Sequence, residues 1–333
     1  MTTKDIMNYV DPAMFTAPAM EAGRSEDGMI VPKVHLLWMT PDPLGANAAM
    51  GRMYKGVPTY NMEGISDDER AQFFTDSMAT HLKAPLESIK LHFFIEGVTR
   101  SFTHQMVRQR TAVYAQESMR FAVKDNMAGE LSIPPSIAEL SPSHPTRQKW
   151  DEAAAKVSEV YNFLIANGIP AEDARGLAPH ATTTRLNYVT DLRNLSDHAG
   201  NRLCTQAQFE WRIVFMSIVD AIGNYAPDFS FLTNKADNEF AKQAWEEKYR
   251  WQFKMIAKSE LFRPVCYQLG KCPFNASFDR ACSIRSRVEK FESSGVRSSE
   301  WGDYAQYEDG SISAVEWLID HTAARKASGG AGH

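Results

Sequence analysis

Apolar and polar residues recur along the chain in patterns that predict both strands and helices. Residues 34–39 and 89–95 are short runs of apolar, β-forming residues, which is typical of strands. Ser66 opens a capping-box pattern, and apolar residues at helical spacing follow it, which predicts a helix that ends at Pro85. The pair Pro41 and Pro43 predicts a turn between the first strand and that helix.

The second half of the chain predicts mainly helices. Prolines and a glycine in residues 122–148 indicate an ordered loop, and helices are expected at 149–167, 171–175 and 205–224. Apolar residues at steps of three or four predict one buried helix face across 186–203: Leu186, Val189, Leu192, Leu195, Ala199 and Leu203. The predicted fold class is therefore α+β, with helices outnumbering short strands.

Composition narrows the possible functions. The 333 residues are 44% hydrophobic and 23% charged, which is ordinary for a soluble globular protein. A net charge of −5 argues against general nucleic-acid binding, which usually needs a basic domain. No apolar run is long enough to span a bilayer, and the first residues lack a signal-peptide pattern, so we expect a cytoplasmic protein.

The cysteines do not predict a metal centre. They stand at positions 204, 266, 272 and 282, and none forms a Cys-x-x-Cys pair. Structural zinc sites usually have tighter spacing, so we expect buried free thiols in a reducing compartment and no metal site.

A cluster of arginines in mid-chain carries the strongest chemical signal. Gln105-Met-Val-Arg108-Gln109-Arg110 is followed, after seven residues, by Ser118-Met119-Arg120. Guanidinium groups bind phosphates through paired, charge-assisted hydrogen bonds. A solvated arginine surface is the alternative. We favour phosphate binding because the flanking residues look buried (Phe102, Met106, Val107 and Val113), and buried arginines need anions. If residues 98–110 are helical, Gln105 and Arg108 share a face.

A second polar cluster lies between residues 174 and 212. Arg193, Asp197 and Asn201 recur every four residues, which places them on one face of a helix. The alternative is a surface ladder of ion pairs, worth only a few tenths of a kcal/mol per pair.

Together the two clusters resemble the flavin-dependent thymidylate synthases. The first is similar to that family's Arg-His-Arg-x7-Ser signature, with Gln109 in place of the histidine. The second is similar to a later block that includes Ala-Arg-x-x-Leu-Pro, Asn-x-Arg-Ser-Leu and Ala-Gln-x-Glu, and weaker similarity extends over residues 33–232. The resemblance implies helices around a small, mostly antiparallel sheet, in a homotetramer whose active sites form between subunits.

The resemblance also implies a reaction. Members of this family use FAD, NADPH and methylenetetrahydrofolate to convert dUMP to dTMP by methylation at C5. The catalytic residues that the resemblance implies for this chain are Arg202 and Ser118. The implied FAD-binding residues are Arg108, Gln109, Arg110, Gln116, Asp191, Arg193 and Asp197. The implied nucleotide-binding residues are Gln105, Gln116, Ser118, Met119, Arg120, Arg202 and, from a neighbouring subunit, Arg175. Arg202 would stabilise negative charge that develops on the pyrimidine ring.

Departures from the family pattern leave alternatives open. Gln109 replaces a histidine, and Asp191 and Asp197 replace typical asparagines and bring negative charge towards an anionic cofactor. The alternatives are a same-fold enzyme acting on dCMP, a hydroxymethyl transfer, or a catalytically silent relative that binds nucleotides or RNA. The expected organisation is an N-terminal arm (1–30), a catalytic domain (31–235) and a C-terminal extension (236–333).

Overall fold

The computed structural model describes residues 15–16, 20, 22–25, 28–204, 207–232 and 234–265. The strands are β1 (Phe15–Thr16), β2 (Gly23–Arg24), β3 (Ile30–Val31), β4 (Lys33–Met39), β5 (Lys90–Thr99), β6 (Val113–Gln116), β7 (Ala122–Val123) and β8 (Thr183–Asp191). The α-helices are α1 (Pro43–Tyr54), α2 (Asp67–Ala79), α3 (Arg100–Met106), α4 (Pro135–Ala138), α5 (Pro145–Ala166), α6 (Ala171–Ala174), α7 (Leu192–Arg202), α8 (Phe209–Gly223) and α9 (Lys235–Ala257). Cys204 is a half-buried free thiol, whereas Cys266, Cys272 and Cys282 lie outside the described residues.

The largest sheet has four strands in the order β4-β5-β8-β6. Thr40 N donates to Lys90 O at one end of the β4–β5 pair, and the rings of His35 and Phe94 lie 5.9 Å apart further along it. Positions therefore rise in β4 as they fall in β5, which makes the pair antiparallel. The β5–β8 pair is antiparallel by the same reasoning, because Leu192 N donates to Ile89 O and Arg100 N to Thr182 O. The α+β prediction is confirmed.

Local signals in the first third of the chain account for its helices. The side chain of Ser66 accepts from Glu69 N and begins α2 as predicted, although the helix ends at Ala79 rather than at Pro85. The chain bends at Pro41 and Asp42, in agreement with the predicted turn, and α1 then begins at Pro43, a helix that the sequence pattern did not predict. Asp42 caps this helix by accepting from Gly45 N, and Pro43 occupies its first position. Proline is well suited to that position because its missing N–H would have no helical partner there.

The prediction of one helix face across 186–203 is wrong in its first half. Residues Thr183–Asp191 form β8, in which buried Leu186 and Tyr188 alternate with the half-buried residues between them. β-branched and aromatic residues favour a strand here, and the spacing of Leu186 and Val189 that resembled a helix places them on opposite faces of it. From Leu192 onward the prediction is confirmed, because Leu192, Leu195 and Ala199 form the buried face of α7.

The described residues fall into two compact units, each made of separate chain segments. The first contains residues from Met1–Lys33, Glu96–Val107 and Ala115–Leu186, and the second contains residues from Val34–Ile95, Arg108–Tyr114 and Asn187–His333. One core cluster of the first unit consists of Met119, Met127, Tyr161 and Ala174. The second unit includes a cluster of Ala48, Ile65 and Phe73, and also the long helix α9. The domain boundaries at 30/31 and 235/236 stay predictions.

Candidate active site

The arginine motif begins in α3 and continues through the turn that follows it. Thr99 caps this helix by accepting from Phe102 N, and the helix ends at Met106. It is shorter than the supposed helix 98–110, so Arg108 lies beyond its end. Phe102 and Met106 are buried as expected, but Val107 and Val113 are 42% and 66% exposed. The expectation of burial was wrong for these two valines because the chain between α3 and β6 runs at the surface.

Gln109 is the best-anchored residue of the motif. Its Nε2 donates to Asn194 O at 2.9 Å, and its Oε1 accepts from the hydroxyls of Tyr188 at 3.0 Å and Tyr114 at 3.4 Å. The two phenol rings stack with centroids 5.3 Å apart, and burial raises the pKa of both phenols, which keeps them protonated as donors. Gln109 therefore holds a fixed position between two exposed cations, Arg108 and Arg110.

Asp191 joins β8 to α7 and is fully occupied by protein partners. Its carboxylate accepts from Asn194 N at 2.9 Å and from Asn194 Nδ2 at 2.8 Å, and it pairs with Lys90 Nζ at 3.1 Å. A carboxylate at a helix N-terminus is also favoured by the helix dipole. The negative charge that this aspartate brings is thus compensated locally, in a side chain only 8% exposed.

The remaining predicted residues of α7 differ in their surroundings. Arg193 pairs with Glu87 at 2.6 Å, and Asp197 is exposed, so no Arg193–Asp197 ion pair forms along the helix. Arg202 lies over the indole of Trp211, with its guanidinium carbon 4.8 Å from the ring centroid. Burial lowers the pKa of Arg202, but an arginine shifted from so high a value keeps its charge at neutral pH.

The predicted nucleotide residues of the first unit fall around Glu172. Arg120 Nε lies 3.9 Å from a carboxylate oxygen of Glu172, and Arg175 Nε donates to the backbone carbonyl of the same residue at 3.2 Å. Burial lowers the pKa of nearby Arg100, and the charge of Arg175 lowers it further. Both guanidiniums are exposed, and of the two only that of Arg120 faces the carboxylate of Glu172.

Four other predicted residues of the first unit carry no charge. Gln116 Nε2 donates to Thr103 Oγ1 at 3.0 Å, and the Ser118 hydroxyl accepts from Arg120 N at 3.3 Å. Met119 is buried in the core cluster of the first unit. Gln105 is half-buried in the last turn of α3.

A buried ion network supports the segment that carries Ser118 to Arg120, and the sequence analysis missed it. Lys124 is 1% exposed, and its Nζ lies 3.0 Å from carboxylate oxygens of both Glu117 and Glu130. Glu117 also faces Arg185 Nε at 3.5 Å, and its carbonyl accepts from Arg100 Nη2 at 2.9 Å. Glu117 and Glu130 lie only seven and six residues from Lys124, but the three residues do not share a helix or strand, so no regular spacing announces the network.

The histidines near the motif act as packing and hydrogen-bonding residues. His92 Nε2 lies 2.9 Å from Asn187 Oδ1 across neighbouring strands, and His104 stacks on His180 with ring centroids 5.4 Å apart. Among the described residues, no group of three or more potential ligands stands ready for a metal ion. No described helix is both long and apolar enough to cross a membrane.

A family model described as "Thymidylate synthase complementing protein" matches residues 35–228, a span that includes both arginine clusters. The chain belongs to this family. The flavin-dependent thymidylate synthase of Geobacter sulfurreducens is 32% identical over 197 residues, which is 59% of this chain and 84% of that protein. The enzyme of the same name from Pyrococcus abyssi is 30% identical over 242 residues, covering 72% of this chain and 88% of its own. A solved flavin-dependent thymidylate synthase from Helicobacter pylori, complexed with FAD and dUMP, aligns with 57% of this chain and 93% of its own at 18% identity and a TM-score of 0.45.

Within this family pattern, the environment of Gln109 predicts that restoring the histidine lowers stability. The amide oxygen has two lone pairs and accepts from two phenols, whereas a neutral imidazole has only one accepting nitrogen. Gln109→His should therefore leave one hydroxyl unsatisfied and lower the free energy of unfolding by about 1–3 kcal/mol, measured by urea denaturation.

Adding Tyr114→Phe removes the second donor, so the Gln109→His/Tyr114→Phe double variant should recover most of this loss. Tyr114→Phe alone serves as the control for the loss of the hydroxyl itself. Equal stability of Gln109→His and the unchanged protein would contradict the two-phenol explanation.

His198 predicts a pH dependence of stability. Burial and, secondarily, the charge of Arg202 lower its pKa to about 4, and its ring packs edge-on against Trp211 at 4.6 Å. The folded state keeps His198 neutral, whereas the unfolded chain binds a proton below about pH 6.5. Stability should therefore fall by up to about 3 kcal/mol as the pH drops from 6.5 to 4.

The variant His198→Gln should lack the pH-dependent contribution of His198 to stability. Its free energy of unfolding should therefore decline less steeply between pH 6.5 and pH 4. The exposed His81, changed to glutamine, is the control and should leave the slope unchanged. Identical slopes for His198→Gln and the unchanged protein would show that the ring titrates equally in both states.

Proposed function

We propose that this protein transfers a one-carbon unit from methylenetetrahydrofolate to C5 of dUMP, giving dTMP, with FAD as cofactor and NADPH as reductant. The observation that carries the proposal is the family match over residues 35–228, within which both clusters of cationic side chains lie. The relatives with 84% and 88% of their lengths covered bear the name flavin-dependent thymidylate synthase. As in the family, the active enzyme would be a homotetramer with sites formed between subunits.

The charges of the first unit suit a nucleotide monophosphate. A phosphate dianion is best bound by several cations, and Arg120 and Arg175 are both exposed; Arg120 faces the carboxylate of Glu172 at 3.9 Å, whereas Arg175 bonds only the backbone carbonyl of that residue. Ser118 and Gln116 would add neutral hydrogen bonds to the nucleotide, and Gln105 would line its pocket. The Lys124 ion network holds the backbone of this segment in place, so that the guanidiniums do not need to be ordered by the ligand.

The second unit has residues that fit an anionic, planar cofactor. Arg108 and Arg110 are exposed on either side of the fixed amide of Gln109, and Arg193 shares its charge with a carboxylate that is 45% exposed. Asp191 would not repel the cofactor strongly because Lys90 and the amide donors of Asn194 compensate its charge. Asp197 is the last of the residues of this unit that we propose to bind FAD. FAD, when bound, supplies the redox chemistry, so the protein needs no nucleophilic side chain.

Arg202 would stabilise the pyrimidine ring as negative charge develops on it. Its guanidinium keeps its proton at neutral pH, and the position of this group over the Trp211 ring restricts its orientation. The neutral ring of buried His198 lies on the same helix and does not add a competing charge above pH 6.5. Preorganised positive charge of this kind lowers a barrier because it needs no reorganisation during the reaction.

The full chain should bind FAD and give a yellow flavin spectrum, and with NADPH and methylenetetrahydrofolate it should release tritium from [5-³H]dUMP and form dTMP. Release of tritium from labelled dCMP but not from dUMP would show that dCMP is the substrate. Formation of a hydroxymethylated product would show that the enzyme transfers a hydroxymethyl group instead of a methyl group. A protein that binds nucleotide but neither binds FAD nor releases tritium would be the silent relative.

Arg202→Ala should reduce kcat by about 10²-fold while FAD binding changes little, since the lost charge acts in the transition state. Arg250→Ala, which removes a partly exposed arginine of α9, is the matched control and should leave kcat unchanged. Full activity of Arg202→Ala would refute the role assigned to Arg202.

A further inference from the structure

The segment after α9 packs against α7, although it lies beyond the residues that the family model matches. The hydroxyl of Ser196 donates to the carbonyl of Leu261 at 3.0 Å, and both residues are buried. Leu261 belongs to a single 3-10 turn, Glu260–Phe262, that follows α9. We call residues 260–265 the brace segment.

Gly200 provides the second contact of the brace segment. A Cβ atom built on Gly200 would lie 3.8 Å from the carbonyl oxygen of Arg263 and 3.9 Å from Val265. These are ordinary van der Waals distances, so a methyl group fits at this position in contact with the brace segment, and a larger side chain would extend towards Arg263 and Val265. Ser196 and Gly200 are four residues apart and therefore present one face of α7 to the brace segment.

The brace segment is itself fixed in place through α9. Gln252 Nε2 donates to Asp42 Oδ1 at 2.8 Å, and its Oε1 accepts from Leu44 N at 2.9 Å. Asp42 also pairs with Arg70 at 2.8 Å, and all of these side chains are buried. Phe253 stacks on Tyr225 with ring centroids 5.2 Å apart. The end of α9 is thus held by hydrogen bonds, charge and aromatic packing.

Near its C-terminal end α7 carries Arg202, while its first turns carry Arg193 and Asp197. The helix N-terminus is fixed by the Asp191 cap. The contacts of Ser196 and Gly200 with the brace segment lie along the rest of the helix, between that cap and Arg202. Small displacements of a catalytic group by about 1 Å can reduce rates by about 10²-fold, so whatever fixes this stretch affects function.

We propose that the brace segment is a positioning element of the active site, which holds α7 so that Arg202 and the flavin-binding side chains are correctly placed. This inference rests on the proposed function for the identity of the ligands. The contact between the brace segment and α7 exists in the ligand-free protein, so it can be tested separately from catalysis.

Two substitutions at Gly200 give a matched test. Gly200→Ala fills the available space, and alanine is a better helix former than glycine, so the helix should keep its amide protection. Gly200→Leu must displace Arg263 and Val265. In the ligand-free protein, we expect amide hydrogen exchange in residues 192–202 and 260–265 to accelerate about tenfold or more for Gly200→Leu, and not for Gly200→Ala.

The functional readouts use the same variants at a temperature where each is folded. Gly200→Leu should weaken FAD binding about tenfold and lower kcat about tenfold, whereas Gly200→Ala should match the unchanged protein. Ser196→Ala should also weaken FAD binding and lower kcat, each by a smaller factor. It serves as the second variant if Gly200→Leu does not fold. Phe73→Leu, in the core cluster of Ala48, Ile65 and Phe73, controls for a general loss of stability and should leave FAD affinity unchanged.

Unchanged amide exchange in residues 192–202 for both Gly200→Leu and Ser196→Ala would refute the claim that the brace segment holds α7. Accelerated exchange with unaltered FAD affinity and kcat would refute the claim that the brace segment positions the active site. If the unchanged protein binds no FAD, the proposed function fails, whereas the exchange data still decide whether the segment holds the helix.

Discussion

The carboxylate of Asp191 is the constraint on which the second cluster of site residues depends. It ends β8, begins α7 and binds Lys90, which stands at the start of β5. One side chain thereby links the start of β5 to the N-terminus of α7. This link fixes the rotation of the helix relative to the strand, and so the directions in which the side chains of Arg193 and Arg202 point. An asparagine could cap the helix but could not neutralise Lys90, so the aspartate adds a charge pair that an uncharged cap would lack.

The substitution at Gln109 has a similar local explanation. An amide oxygen can accept two hydrogen bonds, and here two stacked phenols supply them, while the amide nitrogen reaches the backbone of Asn194. The glutamine is therefore integrated into its surroundings through all three of these hydrogen bonds. The backbone between Arg108 and Arg110 remains fixed without an imidazole, so the two guanidiniums still have a rigid base.

The sequence predicted helices and strands whose signals lie within a few residues. It did not predict side-chain contacts between residues that do not share a helix or strand. The Ser66 cap, the strand near 34–39 and the helix near 149–167 were recognisable because caps, β-branched runs and prolines act within a few residues. The stretch 186–191 was misassigned because leucine spacing alone cannot separate a helix from a strand that is buried on one face. The motif arginines were recognisable by type and spacing, whereas the neutralisation of Lys124 by Glu117 and Glu130 required the fold to bring the three together.

The predicted ligand residues divide between the two units, and each group has its own scaffold. The nucleotide group depends on a lysine that is 1% exposed and held between two carboxylates, an arrangement that tolerates no loss of one partner without an uncompensated buried charge. The flavin group depends on hydrogen bonds at Gln109 and Asp191, which are individually weaker but give the amide oxygen, the amide nitrogen and the carboxylate protein partners. Arg108, Arg110, Arg120 and Arg175 are exposed, whereas Arg193 is paired with Glu87 and Lys124 is buried between two carboxylates. A cation that is already neutralised in the free protein gains less from an anionic ligand, so we expect the exposed arginines of both groups to contribute most to binding.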